Sequence, residues 1–131
     1  MSFLAKFIID GKDYNVLECT YAFHQPADST GKPTGRPLGG NINLKIESRG
    51  DTDLLHWMTS HSQTKEGLII FFKRDAMSRQ LEIQFSKAFC IDYLENFDAF
   101  SDTPMTIKVN ISAEELSVGD VTFKNLWGVE V

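Results

Sequence analysis

The chain has 131 residues, 42% apolar and 24% charged, which fits one soluble domain able to bury roughly two-thirds of its extended-chain surface without staples. A net charge of −5 and a pI near 5.1 argue against general nucleic-acid binding, which needs a basic face to displace counterions. No stretch approaches the ~20 apolar residues of a membrane helix, and MSFLAKFIIDGKDY has neither the apolar length nor the cleavage-type site of a signal peptide. Neither membrane insertion nor a signal peptide is therefore expected.

Phe3 to Ile9 reads as a short apolar strand. Asp10-Gly11 reads as a hairpin turn, because both residues tolerate positive φ. On the return strand Leu17, Cys19, Tyr21 and Phe23 are expected on one face, with Val16, Glu18 and Thr20 on the other. A long loop follows from about Pro26 to Gly40, with three of the chain's four prolines and four of its nine glycines. Connections in compact domains are usually about 4–6 residues long. With a clean strand pattern on either side, the loop is expected to project as an arm from a rigid scaffold.

After the arm, Ile42, Leu44 and Ile46 alternate with Asn43, Lys45 and Glu47, the period of a half-buried strand. Asp51-Thr52-Asp53 opens a helix over about residues 51–62. Asp51 is the expected cap, Asp53 sits near the positive end of the dipole, and Leu54, Trp57, Met58 and His61 share the packed face. Leu68 to Phe72 is continuously apolar, as in a strand covered on both sides. Leu81, Ile83 and Phe85 alternate with Glu82, Gln84 and Ser86. Beyond Lys87 the apolar set becomes Phe89, Ile91 and Tyr93, and a bulge or bend is expected near Lys87. Met105, Ile107, Val109 and Ile111 alternate next. Val118 to Val131 is read as two short strands around a turn near Asn125. About eight strands and one helix in a single domain predict a mainly β fold, an antiparallel barrel or closed sandwich.

Little in the chain suggests catalysis. His56 and His61 are five apart and miss the i, i+4 spacing of a zinc helix. GKPTGRPLGG has the wrong order for a phosphate loop, because Lys32 precedes Pro33 and a strand follows Gly40. No serine occupies a strand-to-helix elbow, so no cofactor, metal or catalytic residue is assigned. Cys19 and Cys90 sit in strand-like apolar patterns and read as buried free thiols, consistent with folding in a reducing cytoplasm.

The arm carries Lys32 and Arg36, whereas Asp92, Glu95, Asp98 and Asp102 form an acidic band elsewhere. Copies meeting head to tail would bring these two surfaces together. The arm residues expected to make such contacts are Asp28, Gly31, Lys32, Pro33, Arg36, Pro37, Gly39 and Gly40. Two other readings stay open: a monomeric ligand-binding barrel with a pocket beside the arm, and a small hydrolase using His24 and Asp28.

The segments YAFHQPADSTGKPTGRPLGGNINLKIES, DLLHWM, KEGLIIFFKRDAMSRQLEIQFSKAFCIDYLENFD and PMTIKVNIS, in this order, resemble the tube protein of type VI secretion systems, the haemolysin-coregulated protein (Hcp, TssD) family, in a divergent short-chain branch. The resemblance implies a β-barrel with one flanking helix, six copies in a ring, and rings stacked into a tube. It further implies a contractile sheath, a spike and baseplate as partners, and effectors carried in the lumen. Assembly in the cytoplasm would precede export through the apparatus itself. Pro26 to Gly40 maps onto the family's loop that contacts the neighbouring ring.

Overall fold

Asp10 and Gly11 both adopt positive φ, 53° and 75°, so the turn they form matches the right-handed twist of its flanking strands. In the computed structural model, which describes residues 3–73 and 78–127, this turn joins β1 (Phe3–Ile9) to β2 (Lys12–Tyr21). There follow β3 (Asn41–Glu47), α1 (Asp53–Thr59), β4 (Lys65–Lys73), β5 (Arg79–Phe97), β6 (Met105–Val118) and β7 (Val121–Lys124). The described residues thus hold seven strands rather than about eight.

Every ladder is antiparallel, in the order β3-β2-β1-β4-β5-β6. β3 then pairs back onto β6, from Asn41↔Ser112 to Glu47↔Thr106. Six strands therefore close into a barrel, which removes the unpaired edges of an open sheet. β7 continues the ladder on the C-terminal end of β6, from Glu115↔Lys124 to Val118↔Val121. Closure turns the period-two pattern into an inside and an outside. Ile42, Leu44 and Ile46 are buried with Phe7, Ile69, Ile83, Ile107, Val109 and Ile111 in one core.

Two strands depart from the expected faces. In β2 the register slips between Val16 and Glu18. Val16, Cys19 and Tyr21 therefore pack on the core, while Leu17 stays 40% exposed. In β5 the bend near Lys87 is present, with Lys87 at φ 52°. The residues it buries are Ala88 and Cys90, whereas Ile91 is exposed and Phe89 packs against Trp127 at 5.8 Å between ring centroids. A second slip, between Cys90 and Asp92, returns Tyr93 to the core. Small side chains mark the bend on both strands, since Ala88 faces Ala113 across the ladder.

The C-terminal expectation also changes. The described part of that segment forms one strand, β7, and Asn125 is a latch rather than a turn; residues 128–131 lie outside the described residues. Helix α1 is shorter than expected at seven residues. Thr52 occupies the N-cap without a side-chain bond, and from the helix backbone the Asp51 carboxylate accepts a long 3.4 Å bond, from the Asp53 N–H. His61 lies past the helix and is exposed. A helix this short holds its shape by docking. Leu54 and Trp57 are buried, and the Trp57 indole Nε1–H donates to the Gln63 carbonyl at 3.1 Å. Lys12 donates to Asp51 at 3.1 Å and also pairs with Asp53, which ties the helix entry to β2.

Trp57→Ala removes a fully buried side chain and is expected to cost about 3–5 kcal/mol, read from the shift in a urea unfolding midpoint. A loss below about 1 kcal/mol would mean that α1 contributes little to the core.

Candidate functional site

The stretch between β2 and β3 is an ordered, narrow extension of their hairpin. His24 and Leu38 bridge it reciprocally: the His24 N–H donates to Leu38 at 2.9 Å and the Leu38 N–H to His24 at 2.6 Å. Farther out, Ala27 and Pro33 form a second bridge, and the Thr34 N–H donates to Pro26 at 2.8 Å. The tip closes on Asp28. Its Oδ1 accepts from the Thr30 hydroxyl at 2.6 Å, the Thr30 N–H at 2.9 Å and the Lys32 N–H at 3.1 Å. Those three donors, the Thr30 hydroxyl first, hold the Asp28 carboxyl below the usual carboxylate range. Gly31, at φ 87°, supplies the left-handed residue that the turn needs.

The base of the arm is pinned from the other end of the chain. Asn125 Nδ2 donates to the Gly39 carbonyl at 3.1 Å and to the Ala113 carbonyl at 3.0 Å. Gly40 has φ 95°, and a Cβ there would lie 2.6 Å from both the Ala113 carbonyl oxygen and Asn125 Nδ2. At Gly39 a Cβ would overlap the Phe23 ring, which meets Phe123 edge-on at 5.3 Å. The Gly39-Gly40 pair is therefore required by close approach as well as by backbone shape. Every residue from Ala27 to Leu38 is exposed.

The cations expected to reach outward behave differently from each other. Arg36 folds back, with Nη2 donating to the Lys124 carbonyl of β7 at 2.9 Å. Lys32 has no ion-pair partner among the described residues. Pro33 bridges Ala27, and Pro37 lies exposed between Arg36 and the His24–Leu38 bridge.

The acidic residues divide into separate places. Asp92 sits mid-sheet opposite Asn110. Glu95 accepts from Ser48 Oγ and from the Tyr93 hydroxyl, both at 3.0 Å. Asp98 and Asp102 lie on the turn between β5 and β6. There the Asp98 N–H donates to Pro104 at 2.8 Å, and Asp98 Oδ1 accepts from the Phe100 N–H at 3.0 Å. β3 leaves the arm at Asn41 and ends at Glu47, opposite Thr106 near the start of β6. The arm and this turn consequently flank opposite ends of β3, roughly 20 Å apart along the strand.

Sequence reasoning gave no site role to Phe23, Phe100, Phe123 or Asn125. Phe100 carried a readable signal, an aromatic inside the turn-type run Asp98 to Pro104. The contacts of Asn125 with Gly39 span most of the chain and have no local signature.

Among the described residues no hydrogen bond joins a histidine side chain to a carboxylate or hydroxyl. The Asp28 carboxylate is engaged by Thr30 and Lys32, so it does not orient His24. Among the described residues no three His, Cys, Asp or Glu side chains gather as metal ligands. Cys19 and Cys90 are free, and burial pushes both thiols up to about 11, which leaves them protonated and inert near neutral pH.

Comparison with known proteins gives a consistent result. The family model described as "Hemolysin coregulated protein Hcp (TssD)" matches residues 1–128. Hcp1 from Flavobacterium johnsoniae is 38% identical, with a TM-score of 0.89 over 93% of this chain and 99% of that one. Hcp1 from Salmonella typhimurium is 13% identical, with a TM-score of 0.74 over 94% of this chain and 92% of that one. A chain of the sheath-tube complex of an extracellular contractile injection system, PVC, in its extended state, shares the fold at 18% identity and TM-score 0.52, over 92% of this chain and 89% of that one. Among curated proteins none matches this chain. With both barrel and sequence in agreement, the chain belongs to the haemolysin-coregulated protein (Hcp, TssD) family of type VI secretion tube subunits.

Proposed function

We propose that this chain builds the inner tube as rings of six copies, stacked head to tail, with the arm of each copy reaching the next ring and no catalytic role. The observation that carries this reading is the polarity of the subunit. A pinned, exposed arm stands at one end of β3, and a turn carrying two carboxylates stands at the other. Two different surfaces at opposite ends favour heterologous, repeating contacts, the kind that extend into a filament. Closure of six strands leaves the contacts to loops, faces and the short β7 at the end of the ladder.

A sheath around the tube is the partner class suggested by the fold shared with the PVC sheath-tube complex. Spike, baseplate and lumen-carried effectors extend the same reading, with export through the apparatus after assembly in the cytoplasm. No helix among the described residues is long and apolar enough to cross a membrane.

Light scattering coupled to size exclusion is expected to give the mass of six chains, and negative-stain images are expected to show rings and end-to-end stacks. A monomer persisting at high concentration would overturn the assembly. Lys32→Glu is expected to leave ring mass unchanged and to weaken stacking by about two- to tenfold, an effect that shrinks in high salt because the arm is exposed and screened. Equal stacking of variant and native rings would remove charge from the contact.

The Asp28 carboxyl is depressed in the folded arm, so its contribution is present above its ordinary value of about 3.9 and disappears as the pH falls through its lower folded value. Amide exchange at Thr30 and Lys32 should therefore stay protected at pH 4, where an ordinary aspartate is near half-protonated. Protection should be lost only at more acidic pH. In Asp28→Ala both amides should exchange freely at every pH, with the barrel amides unchanged.

A further inference from the structure

Phe100 is 99% exposed, yet it does not stand on a loose loop. The turn that carries it is closed by the Asp98 N–H on Pro104 at 2.8 Å, the Phe100 N–H on Asp98 Oδ1 at 3.0 Å, and the Ser101 N–H on the Asp98 carbonyl at 3.2 Å. It is also not a lone apolar residue. Phe97, 66% exposed, pairs across the ladder with Met105, 39% exposed, at the root of the same turn. One exposed apolar side chain is ordinary on a protein surface, whereas three carried by one turn and its root, beside charge, point to a place of contact. Here the charge is that of Asp98 and Asp102, and no cation occurs between Phe97 and Pro104.

A matching recess lies at the far end of β3. Tyr21, Ala22, Phe23, Leu38 and Gly39 form the apolar part of a groove of about 270 Å³ at the base of the arm, with Thr20, His24, Asn41 and Asn43 completing its lining. Phe123 holds the Phe23 ring in place, and Leu38 remains 51% exposed. No Lys or Arg lines the groove itself; Lys32 lies farther out, at the tip of the arm, and Arg36 is turned back onto the Lys124 carbonyl. The arm carries Lys32 and Arg36 against a single carboxylate, Asp28, whose Oδ1 is engaged by Thr30 and Lys32.

We propose that Phe100 of one copy seats in the arm-base groove of a second copy in the adjoining ring, with the acidic turn that carries it lying against that copy's arm. This rests on the stacking described under Proposed function and names the contact that sets its strength and register. Within one chain the two elements flank opposite ends of the same strand and cannot meet. A second copy displaced along the tube brings them together, and the acidic turn then meets the arm that carries Lys32, which favours the correct axial order over the reverse.

Because Phe100 touches little in its own chain, Phe100→Ala leaves folding intact. Rings of unchanged mass are expected, with stacking weakened at least about tenfold, as for loss of a buried aromatic contact. Phe100→Leu should keep most of the stacking. In a Leu38→Cys, Phe100→Cys double variant, mild oxidation of assembled tubes should produce a ladder of cross-linked chains extending beyond dimers. Neither single variant should give such a ladder. Stacking in Phe100→Ala equal to native, or rings that stack in the double variant without forming the ladder, would overturn this contact and leave the tube reading standing. Native rings that never stack would overturn both.

Discussion

The pairing of β3 with β6 is the constraint on which the rest of the molecule depends. It joins residues about sixty-five positions apart, from Asn41↔Ser112 to Glu47↔Thr106, and it converts a twisted sheet into a barrel with a defined interior. Without it, Ile42, Leu44 and Ile46 would have only one neighbouring strand to pack beside. With it, they lie at the centre of the core and are almost inaccessible to water. The same ladder fixes the direction of everything attached to β3. The arm enters at one end and the β5–β6 turn stands at the other. The polarity required of a stacking subunit is thus a property of one strand pair.

A second layer of contacts aims the arm. Glycine at positions 39 and 40 lets Phe23 and Asn125 approach the backbone more closely than any side chain would permit. Arg36 adds a hydrogen bond from the arm to β7. Individually these are ordinary interactions, each worth about 1 kcal/mol net. Together they fix the base of the arm, while Asp28 organises its tip separately. The middle of the arm needs only its two short bridges. A projecting element can in this way be well ordered without a hydrophobic core of its own.

Much of this was legible in the chain because it follows from local chemistry. Asp10-Gly11 specifies its turn, and β3 specifies its faces by strict alternation. The arm was visible as a run of Pro and Gly between strands, and the role proposed for it came from the resemblance that those segments carry. The failures share one cause, which is that register is set by pairing with a distant partner. Leu17 looks like a core residue by period, but the slip at Val16 and Glu18, imposed by β3, turns it outward. Phe89 and Ile91 are more apolar than Ala88 and Cys90, yet the left-handed Lys87 reverses which pair faces the interior, and only Ala fits opposite Ala113. The acidic residues looked contiguous along the chain. An odd spacing in a strand and a turn separated them in space.

The latch at Asn125 also bears on the order of events during synthesis. The arm is encoded in the first third of the chain, but the groups that pin its base, Asn125, Phe123 and the Lys124 carbonyl, emerge among the last residues described. Barrel closure through β3 and β6 is long-range as well, and contacts of high sequence separation form late. A nascent or truncated chain therefore cannot present a correctly aimed arm, whatever the state of its early strands. On the proposed stacking through the arm, competence to join a neighbour would then follow completion of the barrel.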